Sequence, residues 1–254
     1  EYTNLEITIF NFSLSGGGTE YMLSVLYNKL NEIKKYTTNL LICQMGGHYE
    51  GKIENKKRLI FLKKERVIFS IYKLYKFIKK TRTKILITSM LHTNILAIML
   101  KIFLIPSLKV IIRESNTISL KFSYDKSFKS QSLNFIAKKI YNSADAIIAP
   151  TNIIKNDLIN NYNVNSNLIH KIPNPYDFNE IEKISNKIPT KKEKKLLQND
   201  YLLSIGRLHP QKNFPFLIKN FKHLVSTKGF ENLKLFILGN GKDKNKLEEQ
   251  IDTL

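Results

Sequence analysis

Short apolar runs alternate with amphipathic stretches along almost all of the 254 residues, and this alternation restricts the fold more than any other feature. Leu5–Phe10, Leu40–Gln44, Ile85–Thr88, Lys109–Arg113, Ala146–Ala149 and Ile169–Ile172 read as strands, with Leu59–Leu62 a further candidate. Thr19–Ile33, Glu65–Lys80, Asn94–Leu104, Gln131–Tyr141 and Asn152–Asn160 carry apolar residues at helical spacing. A strand, a helix and another strand in succession form a parallel pair bridged by the helix. Repetition of that unit predicts an α/β fold, a parallel sheet covered by helices on both faces.

The alternation breaks once. After "PNPYDFNEIEKIS" the stretch 186–200, "NKIPTKKEKKLLQND", is polar and highly charged and reads as a linker with room for one helical turn. The pattern then restarts with a strand at Tyr201–Ile205, a helix at Phe216–Ser226, a strand at Leu233–Leu238 and a helix at Lys242–Ile251. Residues 1–185 are therefore expected to form one domain and 201–254 part of a second. Two strands and two helices fall short of a stable sheet of this kind, so the second domain is expected to be incomplete. The chain starts without Met and stops in the helix-like "KLEEQIDTL", so both ends read as trimmed.

Composition narrows the function classes. A hydrophobic content of 43% supports a real core and argues against global disorder. The single cysteine, Cys43, can form neither an internal disulfide nor a cysteine metal cluster, which suits a reducing, cytoplasmic setting. No signal peptide is visible. The most apolar region, Ile85 to Ile112, is interrupted by His92, Asn94, Lys101 and Pro106, and reads as strand, helix and strand rather than a membrane span. The net charge of +20, from 41 basic and 21 acidic residues, suits a polyanionic partner: nucleic acid, anionic lipid or a phosphorylated ligand. The alternative is a Lys/Asn/Ile-rich bias with lysines on solvated faces. No RNA-binding sheet motif, zinc knuckle or helix-turn-helix is legible, so nucleic acid is not the expected partner. A non-enzymatic basic α/β binding module remains the alternative to an enzyme.

Two loops carry chemistry. In "EITIFNFSLSGGGTEYMLSVLYNKL" a strand leads through Gly16, Gly17 and Gly18 into a helix, with Thr19 as the expected N-cap. Backbone N–H groups at such a turn can approach a phosphate or a sugar hydroxyl. The nicotinamide fingerprint fails, because Tyr21 stands where its third glycine belongs and the second strand ends at Gln44 rather than an acid. The P-loop fails for want of its lysine. In "YLLSIGRLHPQKNFPFLIKNF" a strand runs to Gly206, Arg207 and Lys212 follow, and Asn213 with Pro215 opens a helix. Two cations beside a helix N-terminus suit a diphosphate: Arg grips oxygens in pairs and Lys adds a point charge.

The stretches "GRLHPQKNFPFLI" and "LKLFILGNGKDKNKLEEQI" resemble the second domain of the retaining GT-B glycosyltransferases of the family 4 type. "SADAIIAPTNIIKNDLINNYNV" and "IHKIPNPYDF" are similar to the end of that family's first domain, and the glycine loop sits where the family places its own. The resemblance covers nearly the whole chain. It implies two Rossmann-like domains and transfer of a sugar, with retention, from a nucleotide-sugar donor of the UDP type to a lipid-linked or cell-surface glycan. It further implies that Arg207 and Lys212 bind the donor diphosphate and that Gly17 and Gly18 approach donor or acceptor. Gly206, Gly239 and Gly241 would border the nucleotide pocket, and Asn174 would lie near the interdomain cleft. Many members have His just after the strand ending here at Ile112. This chain has "RESN", so Arg113 or Glu114 occupies that place, and an Arg there is similar to branches acting on lipid-linked or surface glycans. The family's glutamate pair would lie beyond residue 254, so the fragment alone is expected to be inactive.

The remaining residues add little. His48, His92, His170, His209 and His223 show no metal-ligand spacing, and only His92 is placed at the cleft. No Asp-x-Asp element is visible, so no metal and no cofactor is expected, the nucleotide-sugar being a substrate. In Glu65–Lys80 the residues Val67, Ile68, Ile71, Leu74, Tyr75 and Ile78 should face the core, leaving Phe69, Tyr72 and Phe77 among Lys73, Lys76 and Lys80. Aromatics among lysines suit peripheral contact with an anionic membrane on its cytoplasmic side.

Overall fold

The computed structural model describes residues 4–63, 66–196, 198 and 200–253. The first residue of the expected helix Glu65–Lys80 lies outside them, as do Leu197 and Asn199 of the expected linker. The chain divides into two compact units, Glu1–Phe178 and Asn179–Leu254. Composition puts the break later, after residue 185.

The first unit is one sheet of seven strands. They are β1 (Leu5–Asn11), β2 (Tyr36–Ile42), β3 (Leu59–Phe61), β4 (Ile85–Thr88), β5 (Lys109–Arg113), β6 (Ala146–Ala149) and β7 (Ile169–Lys171). Their spatial order is β3-β2-β1-β4-β5-β6-β7, and every pairing is parallel. The order reverses between β1 and β4, and crevices for ligands open above the carboxyl ends of strands at such a point. Crossovers of one hand send the helices to opposite faces on either side of that reversal.

Side-chain alternation fills both faces. Ile9, Leu40 and Ile42 pack with Met22, Leu23 and Tyr27 of α1 (Gly18–Glu32). Their neighbours Phe10 and Leu41 point the other way, into a larger core with Leu86, Val110, Ile112 and Ile147. That core is closed by Leu74 and Ile78 of α2 (Ile71–Thr81), Leu96 and Leu100 of α3 (Leu91–Phe103), Ala137 of α5 (Phe128–Ile140), and Leu158 and Tyr162 of α6 (Asn152–Tyr162). Each buried Leu or Ile contributes about 2 kcal/mol. A charge at Leu86, fully buried on the central strand β4, would therefore break this unit.

Several expectations need correction. Thr19 does not cap α1; the helix opens at Gly18 on an extended Gly17 with no side-chain cap. β2 begins at Tyr36 and ends at Ile42, because pairing with β1 starts at Leu5↔Tyr36 and recruits the polar Thr37–Asn39. A tight 3-10 turn, Val67–Ser70, precedes α2 and shifts its helical phase, so Ile68 is exposed rather than in the core. Two short helices, α4 (Ile118–Tyr124) and α7 (Phe178–Ser185), lie where none was expected. Among the described residues no helix is long and apolar enough to cross a membrane.

The second unit holds α8 (Lys191–Leu196), β8 (Tyr201–Ile205), α9 (Phe214–Val225), β9 (Lys234–Leu238) and α10 (Lys244–Asp252). β8 and β9 pair in parallel. Its core is small: Leu208, Phe214, Ile218 and Leu247. Leu202, Leu203 and Ile205 of β8 are exposed.

Candidate functional site

In the first unit the residues singled out by sequence gather at the carboxyl ends of β1, β4 and β5. The turn after β1 takes a positive φ of 138° at Gly16, a value that favours glycine. Beyond the extended Gly17, the missing Cβ of Gly18 faces open space. The turn is braced from β2: Cys43 N and Gln44 N donate to Phe12 O at 2.9 and 3.0 Å. Tyr49 N donates to Leu14 O at 3.0 Å. At the floor of this turn the buried Asn11 spends its amide N–H on Ser13 O, 2.9 Å away.

Arg113, the last residue of β5, is buried at 5% exposure. Its Nη1 donates to Ser89 Oγ at 2.9 Å, just past β4. Its Nη2 donates to Asn174 Oδ1, past β7. One guanidinium therefore ties together two loops more than eighty positions apart along the chain, by subtraction of 89 from 174. Burial pulls its pKa below the ordinary arginine value, while Glu114 and Tyr176 support its charge. Arginine remains cationic through such a shift.

Glu114 is buried with a different set of partners. Tyr141 Oη donates to its Oε1 at 2.5 Å and Asn94 Nδ2 donates to the same oxygen at 2.7 Å. Asn94 also donates to Arg113 O at 3.0 Å and accepts from Thr88 Oγ1 at 2.7 Å. Burial pushes the Glu114 carboxyl up to about 7, against the pull of Tyr141, Asn94, Lys121 and Arg113. His92 lies in the first turn of α3, edge-on to Phe12 at 6.1 Å. Burial first, then Lys121 and Lys129, lower its pKa to about 4, so it is neutral at pH 7. Asn94 and Tyr141 were not legible as site residues; only the fold brings positions 94, 114 and 141 together.

In the second unit Gly206, Arg207 and Lys212 follow β8. Lys212 closes a 3-10 turn, Pro210–Lys212, and its aliphatic chain lies over Gly206. Asn213 caps α9 with a φ of 50°, and Pro215 sits in its first turn. Arg207 and Lys212 are exposed, and among the described residues their side chains make no hydrogen bond or ion pair. Gly239 and Gly241 have a role independent of any ligand. A Cβ on Gly239 would lie 1.8 Å from Gly206 O, and one on Gly241 would lie 2.2 Å from Leu208 O. Their absence lets the two loops bond: Gly206 N donates to Leu238 O and Leu208 N to Asn240 O, both at 3.0 Å.

Both cationic loops thus stand at the carboxyl ends of parallel strands. The profile described as Glycosyltransferase Family 4 matches residues 17–180, and that described as Glycosyl transferases group 1 matches residues 185–254. The chain belongs to glycosyltransferase family 4. An uncharacterized glycosyltransferase of Methanocaldococcus jannaschii is 29% identical over 220 residues, covering 81% of this chain and 53% of that protein. The N-acetylgalactosamine-N,N'-diacetylbacillosaminyl-diphospho-undecaprenol 4-alpha-N-acetylgalactosaminyltransferase of Campylobacter jejuni is 26% identical over 253 residues, covering 95% and 64%. The family 4 chain thus spans about half to just under two thirds of these curated relatives, from coverages of 53% and 64%. The solved structure of Anabaena HepE in complex with UDP and glucose aligns with a TM-score of 0.72 at 13% identity, covering 98% of this chain and 66% of that one. That likeness speaks to the GT-B fold of the family 4 chain.

Proposed function

We propose that this chain is the larger part of a retaining glycosyltransferase that moves a sugar from a nucleotide-sugar donor, of the UDP type, to a lipid-linked or cell-surface glycan. The first unit is the acceptor side and the second the donor side. In the reaction an acceptor hydroxyl forms a bond to the anomeric carbon and gives up its proton to an oxygen of the departing diphosphate. The bond from that carbon to the diphosphate breaks, and the nucleotide diphosphate leaves with the electron pair. The chain's task at that moment is to hold the new negative charge. Arg207 and Lys212 do this, the first by paired N–H bonds and the second as a point charge. Gly206, Gly239 and Gly241 shape the floor beneath them, and Gly17 and Gly18 approach the sugar or phosphate with bare backbone. Arg113, with Glu114, His92 and Asn174 around it, lines the acceptor side. No metal and no cofactor is needed in this scheme.

The observation that carries the reading is the pair of family profiles lying end to end along the chain, the second containing the exposed cations Arg207 and Lys212. The UDP in HepE and the diphospho-undecaprenol acceptor named for the Campylobacter enzyme support the choice of donor and acceptor class. A protein acting on such an acceptor works at the cytoplasmic membrane face. The exposed Phe69 and Tyr72, with Lys76 Nζ 4.5 Å from the centroid of the Tyr72 ring, support peripheral contact there. The test is binding of a radiolabelled UDP-sugar against an oligonucleotide at matched salt, using the full-length protein. Saturable UDP-sugar binding that the oligonucleotide does not displace is expected. Oligonucleotide binding with none for the UDP-sugar would favour a basic binding module instead.

A further inference from the structure

An aromatic cluster beside the glycine loop has no part in either core of the first unit except through Tyr49, which packs partly against one of them. Three segments far apart in sequence converge there. Tyr21 sits in the first turn of α1, directly behind Gly18. His48 and Tyr49 lie on the loop after β2, fixed to the glycine turn by His48 N to Ser15 O at 3.4 Å and Tyr49 N to Leu14 O at 3.0 Å. Tyr176 follows Asn174 in the segment after β7, and Asp177 N donates to Tyr21 Oη at 3.3 Å. The Tyr21 ring is 5.7 Å from Tyr49 and 6.5 Å from Tyr176, and His48 meets Tyr49 edge-on at 5.0 Å. Lys52 Nζ lies 5.1 Å from the centroid of the Tyr21 ring.

Three things about this cluster need a reason. Tyr176 leaves 53% of its surface to solvent. Among the described residues the Tyr49 and Tyr176 hydroxyls have no hydrogen-bond partner, and Tyr21 Oη only accepts. The cluster nevertheless costs order to build, since it takes hydrogen bonds from three loops to hold the rings together. Rigid rings with free hydroxyl tips at a site edge suit a ligand that is apolar on one face and polar at its rim. A pyranose ring has that character: axial C–H bonds on a face and hydroxyls around the edge. Tyr176 also acts electrostatically on Arg113, which joins the cluster to the buried cation of the candidate site.

We propose that Tyr21, Tyr49 and Tyr176, with His48, form a sugar-binding platform on which a pyranose ring of the acceptor glycan stacks. The proposal rests on the glycosyltransferase reading and adds to it the class of group held and the side chains that hold it. Tyr176 supplies the open stacking face and Tyr21 the tilted second wall. The Tyr49 and Tyr176 hydroxyls bond the sugar's rim.

Saturation-transfer NMR with irradiation of the aromatic ring protons reports ligand contact, and because the chain has 12 tyrosines the Tyr176 variants assign that contact to the platform. The probes are methyl α-glucopyranoside, methyl β-galactopyranoside and methyl α-N-acetylgalactosaminide, each added to the full-length protein, with UDP titrated in a parallel arm. At least one glycoside should receive saturation from tyrosine ring protons. Tyr176→Ala should weaken its binding by roughly tenfold, with Tyr176→Phe losing only about threefold, on the order of stacking and single hydrogen-bond contributions. UDP binding and the melting temperature should stay unchanged, because Tyr176 is half exposed and UDP belongs to the other loop. Failure of all three glycosides to bind the wild type, or equal binding by wild type and Tyr176→Ala, overturns the platform. If UDP binds in those cases, the glycosyltransferase reading survives the loss. Absence of UDP binding strikes that reading instead.

Discussion

Arg113 in the first unit and Arg207 with Lys212 in the second hold the same place in their sheets, at the carboxyl end of a parallel strand, but the chain treats them in opposite ways. Arg113 is buried and bonded to Ser89 and Asn174, in the loops after β4 and β7. Arg207 and Lys212 stand in solvent with no side-chain partner among the described residues. A buried cation helps to hold the fold, so its loss damages stability and function together. An exposed cation costs the fold little, and on the function proposed above this pair waits for the donor diphosphate. The difference separates a scaffold charge from a charge held in readiness.

The largest effect expected from this contrast is on turnover. In the full-length enzyme Arg207→Ala and Lys212→Ala should each lower sugar transfer by roughly a hundredfold, as removal of a preorganised charge facing a leaving group does. Initial rates with a radiolabelled UDP-sugar check it, and near-normal turnover in both variants would remove the loop from the site. Next in size is the stability of Arg113→Met. Ser89 and Asn174 lose their partner, and unfolding in urea should show a loss of about 2–3 kcal/mol. Arg207→Met measured alongside should change by less than about 0.5 kcal/mol. Equal losses would erase the distinction.

Titration sharpens it further. Glu114, raised to about 7 when folded, binds its proton more tightly in the native state. It therefore contributes stability that is present at low pH and lost as pH rises through 7. His92, lowered to about 4, acts in the other direction: the native state binds its proton less tightly, so stability is lost as pH falls from about 6.5 towards 4. The two slopes oppose each other between about pH 4.5 and 6.5. Glu114→Gln should unmask a stability that rises with pH across that window, and His92→Gln one that falls. Melting temperatures in matched buffers read both, and the same slope in the two variants would contradict the assignment. The smallest expected effect concerns the lysines of α2. Vesicles with anionic lipid should sediment the protein less well after Lys73, Lys76 and Lys80 become Glu, each residue contributing on the order of 1 kcal/mol. Part of the Lys73 effect is structural, because its Nζ donates to Leu62 O at 2.7 Å. The comparison is the same exchange at Lys191, Lys192 and Lys194. Equal loss from both triple variants would mean that charge is spread rather than placed.

The sheet was legible where local sequence decides. β4, β5, β6 and β8 match the apolar runs end for end, because short runs rich in Ile, Leu and Val need no partner information to be recognised. β2 extends beyond its apolar run: Tyr36–Asn39 is polar, and pairing with the neighbouring β1 makes a strand of it, with Thr38 and Asn39 buried. α4 leaves no periodic signal because seven residues give too few turns, with Ile118 and Phe122 turned inward. The site divides in the same way. Arg207, Lys212, Gly239 and Gly241 lie in short motifs, so sequence reveals them. The reason for the glycines, the close approach of two loops, is visible only in the fold. The Asn94–Glu114–Tyr141 cluster and the tyrosine platform are assembled from distant positions, and no spacing in the chain could announce them.

The central claim is that the Arg207–Lys212 loop is held open for a diphosphate while Arg113 is committed to the fold. Calorimetric titration of UDP, paired with a melting curve on each sample, tests it most directly. The samples are the full-length wild type, an Arg207→Ala/Lys212→Ala double variant, and Arg113→Met. The account predicts that the double variant keeps its melting temperature and loses UDP affinity by at least roughly a hundredfold. It predicts that Arg113→Met melts lower yet binds UDP, below its melting temperature, within about threefold of wild type. Full UDP affinity in the double variant, or an unchanged melting temperature in Arg113→Met, would contradict it.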